Sequence, residues 1–428
     1  MSTVLRVGRL IDGTGEPPQR DMSITIEGER IVDVRPAGSS AGTDHPNARR
    51  YDCPTLTALP GLIDCHDHLA HLGQDLRERF ATPQSLAILK AGRWVTETLL
   101  AGVTTVRDAA GIDLGIKMAL EQGVIAGPRL FLSLVIISQT GGHGDLTQPA
   151  GLSTDFPTLP GVPDGVADGV DAVRVKVREV LRLGADWIKV ATNGGSGSPR
   201  GGYHVRQFCL DELRVMVDEA HSKGVRVMVH AHGGDSLSMC LAAGVDTIEH
   251  GSFADDRQLE EMARRGIWIV PTLSVTHRVM AKIHEHPDGV PAYTRARIGG
   301  VLETKQKTLR RAIEFGVPIA MGTDAGALGH GRNALELPYM VEAGMSPMQA
   351  IVASTQMGAR LLGMGDDLGT LQPGRLADLL LVDGDPLADI AILAEPSRLA
   401  LIMKGGIVYK EPALRPLGVV SPDGVPYV

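Results

Sequence analysis

Six residues with metal-binding side chains sit just past short apolar runs of this chain. His66-Asp67-His68 follows Leu59-Pro60-Gly61-Leu62-Ile63, and Lys189 lies in Trp187-Ile188-Lys189-Val190. His230 ends Val227-Met228-Val229-His230, His250 ends Thr247-Ile248-Glu249-His250, and Asp324 closes Gly322-Thr323-Asp324. Residues two apart on an extended strand end point to the same side, so His66 and His68 face together. Imidazole nitrogen suits zinc and related divalent ions. His230 and His250 end consecutive strands, which makes them neighbours on one rim. One histidine at a strand end is usually just polar rim; four in register point to a metal.

Lys189 and Asp324 each carry two readings. A lysine in an apolar strand is costly unless its charge is paired or removed. It either has a buried acidic partner or reaches the rim, or it is carboxylated by carbon dioxide and bridges two metals. Two divalent cations roughly 3.5–4 Å apart suit such an anionic bridge and can activate water between them. Asp324 either ligates metal and takes a proton from water, or caps the helix that follows.

The elements that must hold these residues repeat one phrase: a helical stretch, a glycine, then a short β-branched run. Gly102, Gly184, Gly224, Gly244, Gly266 and Gly316 each mark such a junction. Glycine just past a helix takes the left-handed conformation that ends it. Helices alternating with strands that are apolar throughout build parallel sheet covered on both faces. From Leu62-Ile63 to Val317–Met321 the chain offers about eight strands, enough for a (β/α)8 barrel of roughly 250 residues. The third of them spans Arg129 to Leu134. An open doubly wound sheet would gather its functional groups at one switch point, whereas here they follow nearly every strand. The expected fold is therefore α/β, a (β/α)8 TIM barrel at 59–369. Residues 1–58 and 370–428 hold short alternating runs broken by Gly and Pro, and are expected to pair into one small β-sandwich domain. Pro149 to Gly169, rich in Gly and Pro, reads as a long rim loop.

Bulk composition narrows the function classes. A chain of 428 residues with 43% hydrophobic and 21% charged residues is ordinary for a globular protein. A net charge of -8 leaves no basic footprint for nucleic acid or anionic membrane. No run reaches the roughly 18 apolar residues of a membrane helix, and the start lacks a secretory signal pattern. Four cysteines without a CxxC pair read as small buried apolar residues in a reducing cytoplasm.

Together, the HxH motif, the strand-end Lys189, the separated His230 and His250 and the final Asp324 resemble the amidohydrolase superfamily of binuclear metal hydrolases. The similarity covers nearly the whole chain, including the junction segments Leu59 to Asp64 and Leu371 to Leu379. Within it the chain looks most like the Xaa-Pro dipeptidase and ochratoxinase branch. The segments that match are Gln139 to Asp145, Trp187-Ile188-Lys189, His230-Ala231-His232-Gly233 and Ile248-Glu249-His250-Gly251. The resemblance implies two zinc ions, a carboxylated Lys189, and a homo-oligomer as large as an octamer. It implies that His66, His68, Lys189 and Asp324 hold one metal, and Lys189, His230 and His250 the other.

His143, in a Gly-rich loop, either contacts the scissile carbonyl or leaving group or is a plain loop histidine. His232 could meet a substrate carboxylate; peptidase relatives often carry Tyr there, a departure that bears on substrate. Tyr203, His204 and Arg206 could also grip a carboxylate, or Arg206 is simply solvated. The expected reaction is cleavage of a dipeptide or N-acyl amino acid by a metal-bridged hydroxide, with Asp324 moving the proton. Ring-amide hydrolases and deaminases of the imidazolonepropionase type generally use one metal and no bridging lysine. A scaffold protein of the same fold would have lost ligands. Lactone or phosphotriester hydrolysis stays open, since the same metal centre serves it.

Overall fold

The computed structural model of the chain describes residues 2–39, 48–71, 76–153, 159–411, 419–420 and 426–427. The N-terminal part supplies β1 (Ser2–Leu10), β2 (Gln19–Glu27), β3 (Arg30–Pro36) and β4 (Arg49–Pro60). Next come β5 (Leu62–Asp67), β6 (Val103–Asp108), β7 (Arg129–Leu132) and β8 (Ile136–Ile137). They are followed by β9 (Trp187–Ala191), β10 (Arg226–Gly233), β11 (Thr247–Phe253) and β12 (Trp268–Val270). Towards the C-terminus lie β13 (Leu379–Val382), β14 (Leu399–Lys404) and β15 (Ile407–Lys410).

The middle strands run parallel in the orders β5-β6-β7 and β8-β9-β10-β11-β12, with helices between most of them. Every residue of β5, β6 and β9 is buried, as the apolar runs require of strands covered on both faces. The expected third strand does not run unbroken to Leu134. It stops at Leu132, Leu134 turns to φ +64°, and the chain resumes as β8. The first half thus pairs with β6 and the second with β9. Residues 318–321 form no regular strand but an isolated bridge at Ile319, and they are bonded on both sides. Ile269 N–H donates to Pro318 O at 3.0 Å, Ala320 N–H to Ile269 O at 3.2 Å, and Cys65 N–H to Met321 O at 2.9 Å. The mixed α/β architecture is consistent with a (β/α)8 barrel joined to a separate sheet.

All six junction glycines adopt positive φ, from +66° at Gly266 to +92° at Gly184, so helix-stop and strand-start coincide where the sequence put them. The outer helices bury one stripe: in Val170–Arg182, Val173, Val177 and Val180 recur at helical spacing and are fully covered. Each such side chain contributes about 1.5–3 kcal/mol of burial.

The terminal strands form one seven-stranded sheet, β15-β14-β13-β4-β1-β2-β3, rather than the two facing sheets of a sandwich. Its seam is the antiparallel β4–β13 pair, Pro60 opposite Leu379, which ties the N-terminal to the C-terminal segment. The sheet curls, because Arg30 bridges Leu376 and the Gly406 backbone packs on Gly28 O. Leu5, Val7, Ile24, Leu379, Leu401 and Met403 consequently share one small core, which does the work of a second layer. The described part of 149–169 holds only isolated bridges; residues 154–158 of that loop, and 1, 40–47, 412–418, 421–425 and 428 of the termini, lie outside the described residues.

The four cysteines are unpaired. Cys65 and Cys240 are buried as expected, but Cys53 is only half-buried and Cys209 is exposed. Cys209 opens the helix Leu210–His221, where its N–H donates to Glu212 Oε2 at 2.7 Å in a capping box. No helix among the described residues is long and apolar enough to cross a membrane.

Candidate metal centre

The strand ends bring the histidines into two adjoining groups. His66, His68 and Asp324 offer ligand atoms within 4.8 Å of one another, and so do His230, His232 and His250. The His66 and His250 rings lie 5.2 Å apart and bridge the groups. Lys189 sits between them, buried, its Nζ 3.5 Å from His66 Nε2. No carboxylate lies within 4.0 Å of the Lys189 amine among the described residues, although Glu249 and Asp324 are near enough to favour its charge.

Asp324 reaches the centre because its neighbours are small. Gly322 packs where a Cβ would sit 2.8 Å from His66 Cβ, and at Gly326 a Cβ would meet His68 O at 2.2 Å. Asp324 N–H donates to His66 O at 2.7 Å, and its Oδ1 lies 3.4 Å from His68 Nε2. Its side chain makes no capping bond to the 3-10 turn that follows.

Five of the rings are anchored on their far side, while His230 Nε2 lies 3.5 Å from Gly194 O. His66 Nδ1 lies 2.5 Å from Glu249 Oε2, His68 Nδ1 3.1 Å from Ala110 O, and His250 Nδ1 2.7 Å from Thr272 Oγ1. His232 Nδ1 lies 2.8 Å from Ser252 Oγ, and His143 Nδ1 2.6 Å from Ser198 Oγ. An imidazole held by one nitrogen offers the other inward, the arrangement usual around metals. Burial, with Lys189 second, brings His66, His68 and His143 down to about 4. Burial first, with neighbouring histidines and Lys189 or Lys305 adding to it, holds His230, His232 and His250 well below the ordinary value. Near neutral pH these rings are therefore uncharged and able to ligate. Burial lowers Lys189 to about 8. The donor set thus fits divalent transition ions.

Comparison with known proteins decides the family. The model of the Amidohydrolase family matches residues 57–408. The chain belongs to the amidohydrolase family. It is 34% identical to the ochratoxinase of Aspergillus niger over 434 aligned positions, covering 97% of this chain and 88% of that one. A crystal structure of a Xaa-Pro dipeptidase with methionine bound in its active site is 33% identical, with a TM-score of 0.86 over 96% of this chain and all of the other. The crystal structure of the A. niger ochratoxinase also gives 0.86, at 31% identity over 97% and 96% of the two chains. This amidohydrolase therefore lies in the prolidase and ochratoxinase-like branch, whose chemistry is amide hydrolysis; the family typically binds metals.

Around the centre the amidohydrolase has a shell that reading the sequence missed. Arg107, fully buried on β6, donates to Glu249 Oε1 at 2.8 Å and to Cys65 O at 2.6 Å, and lies 4.5 Å over the Trp187 ring. Glu249 accepts from Thr247 Oγ1 as well. Burial raises the Glu249 carboxyl, but Arg107 and His66 outweigh it and hold the group at about 2. Asn333 Nδ2 donates to Asp64 and Asp67, each at 2.7 Å, and those carboxylates accept the His66 and His68 backbone N–H groups. The available signal was charge inside apolar strands: Arg107, Asp64 and Glu249 all lie in runs that otherwise read as core.

Of the other expected site residues, His143 stacks on His230 at 4.1 Å and Tyr203 meets His232 edge-on at 4.6 Å. His204 is exposed against Phe253, and Arg206 is exposed with its guanidinium 3.8 Å from Met239 Sδ.

Proposed function

We propose that this amidohydrolase cleaves the amide bond of a dipeptide or an N-acyl amino acid with a free carboxylate. The convergence of His66, His68 and Asp324 with His230, His232 and His250 around Lys189 carries the reading. The likeness to an ochratoxinase and to a Xaa-Pro dipeptidase supports this substrate class.

In this reading His66, His68, Lys189 and Asp324 would hold one zinc ion, and Lys189, His230 and His250 would hold the second. Bound zinc would supply Lewis acidity and lower the pKa of water. The Lys189 amine adds carbon dioxide and loses a proton to become a carbamate. A depressed lysine pKa favours that step, because only the neutral amine reacts. Asp324 accepts the proton of the attacking water and returns it to the leaving amine. His143 would meet the carbonyl of the scissile bond or the leaving group, and His232, with Tyr203, His204 and Arg206 beyond it, would meet the substrate carboxylate. The strands of 59–369 close into the barrel that holds this site. Residues 1–58 with 370–428 form the accompanying β unit, and the protein works as a homo-oligomer in the cytoplasm.

The test is to offer zinc-loaded protein a pooled set of dipeptides, N-acyl amino acids and ring amides, with Lys189→Ala alongside, and to identify products by mass spectrometry. A free amino acid released by wild type and not by the variant is expected. Ammonia or a ring-opened product would move the protein to the deaminase or ring-amide class.

A further inference from the structure

Lys305 has no part in the chemistry described, yet it is among the most buried charged groups of the chain, at 4% exposure on the helix Val301–Phe315. No carboxylate forms an ion pair with it among the described residues. Its Nζ instead donates to Thr272 O at 2.7 Å, to Thr272 Oγ1 at 3.3 Å and to Thr276 Oγ1 at 3.2 Å. Burying an amine for three neutral acceptors is costly, so the acceptors need a reason to be held.

Thr272 supplies one. It is fully buried, adopts φ +50° and ψ +51°, and its hydroxyl lies 2.7 Å from His250 Nδ1. A β-branched residue in the left-handed region is strained, and His250 itself stands at φ +73°. Such conformations persist only where the surroundings over-determine them. Here the surroundings grip from two sides. Lys305 takes the Thr272 carbonyl, while the buried Glu336 carboxylate accepts the next two backbone N–H groups, Leu273 and Ser274, each at 2.7 Å. Ser274 Oγ then donates to Thr323 O at 3.0 Å, one residue before Asp324. The turn 272–274 thereby touches both halves of the centre, His250 through a hydroxyl and Asp324 through its neighbour's carbonyl.

We infer that Lys305 is a positioning residue of the metal centre, which fixes Thr272 and through it the ring of His250, with Glu336 clamping the other side of the same turn. The two lone pairs of Thr272 Oγ1 take one N–H from His250 and one from Lys305, which leaves His250 Nε2 facing inward. The inference rests on the metal-dependent reading given above.

The test is a zinc titration of purified, metal-stripped protein against a chromophoric chelator, for wild type, Lys305→Met, Lys305→Arg, Thr272→Val and the double variant Lys305→Met/Thr272→Val. Wild type should hold two ions. Lys305→Met should keep its circular dichroism and the tighter ion but hold the second about 10–100-fold more weakly, the usual effect of losing an outer partner of a ligating histidine. Thr272→Val should show the same loss and the double variant no greater one, because Lys305 acts through Thr272. Lys305→Arg should recover part of the affinity. If Lys305→Met does not fold, Thr272→Val with Lys305 in place carries the test, and unchanged zinc affinity there overturns the inference. Wild-type affinity in folded Lys305→Met, or additive losses in the double variant, overturns it equally. A wild-type protein that binds no zinc would overturn the metal reading first and this inference with it.

Discussion

Glu249→Gln isolates the electrostatic frame of the centre. The substitution keeps the side-chain volume and removes one charge from a fully buried pair with Arg107. The wild-type carboxyl is held from its ordinary 4.5 down to about 2; burial pushes it up, but Arg107 first and His66 next more than offset that. At about 1.4 kcal/mol per tenfold change, this favours the charged form by about 3 kcal/mol. Removing one partner of a buried pair generally costs about 3–5 kcal/mol, because the other charge is stranded. The two routes overlap at about 3–4 kcal/mol at neutral pH. The assay is urea unfolding of metal-free protein followed by tryptophan fluorescence, since Trp187 lies against Arg107. A carboxyl with a depressed folded-state pKa stabilises fully above its unfolded value of 4.5 and loses that contribution as pH falls towards about 2. The gap between wild type and variant should therefore be constant from about pH 6 to pH 8. Exchanging both partners, Arg107→Met with Glu249→Leu, should recover much of the stability. A Glu249→Gln protein within about 0.5 kcal/mol of wild type at pH 7 would show that the Arg107–Glu249 pair contributes no such stability.

Metal-free protein should lose stability as pH falls from 6.5 to about 4, because burial holds His66, His68, His143 and His330 at about 4 and His71, His230, His232 and His250 well below the ordinary imidazole value. Unfolding lets these rings bind protons, at about 1.4 kcal/mol per pH unit for each net proton. Burial raises Asp64, Asp67, Asp108 and Glu336 to about 6–7, which opposes the trend, but these are fewer groups. Denaturation midpoints between pH 4 and pH 8 check it; a flat profile would contradict it. Lys189→Met should abolish hydrolysis and release at least one zinc per chain, read by plasma emission spectrometry. His143→Asn and His232→Asn should lower kcat by about 100-fold or more while two ions stay bound, which separates them from the ligands.

The parts of this molecule that were legible in advance are those whose signal is local. His66, Lys189, His230 and His250 could be found because each interrupts or ends an apolar run, and the six glycines marked where helices stop. The outer shell could not, because its partners are remote: Arg107 meets Glu249 across 142 positions of sequence. Lys305 and Glu336 sit on helices where a charge reads as solvated face, and only the packing of those helices on the 272–274 turn buries them. The break at Leu134 carried no glycine or proline to announce it. Alternation fixes which faces are apolar and not how strands from the two termini interleave, so it points to a sandwich where the chain forms one curled sheet.

The most direct test of metal-dependent amide hydrolysis is to strip the protein of metal with a chelator, follow release of a free amino acid from a dipeptide or N-acyl amino acid that the intact enzyme cleaves, and then add zinc back. The stripped protein should show no hydrolysis, and activity should recover fully as two ions per chain are restored. Hydrolysis at an undiminished rate by protein shown to be free of metal would contradict metal dependence.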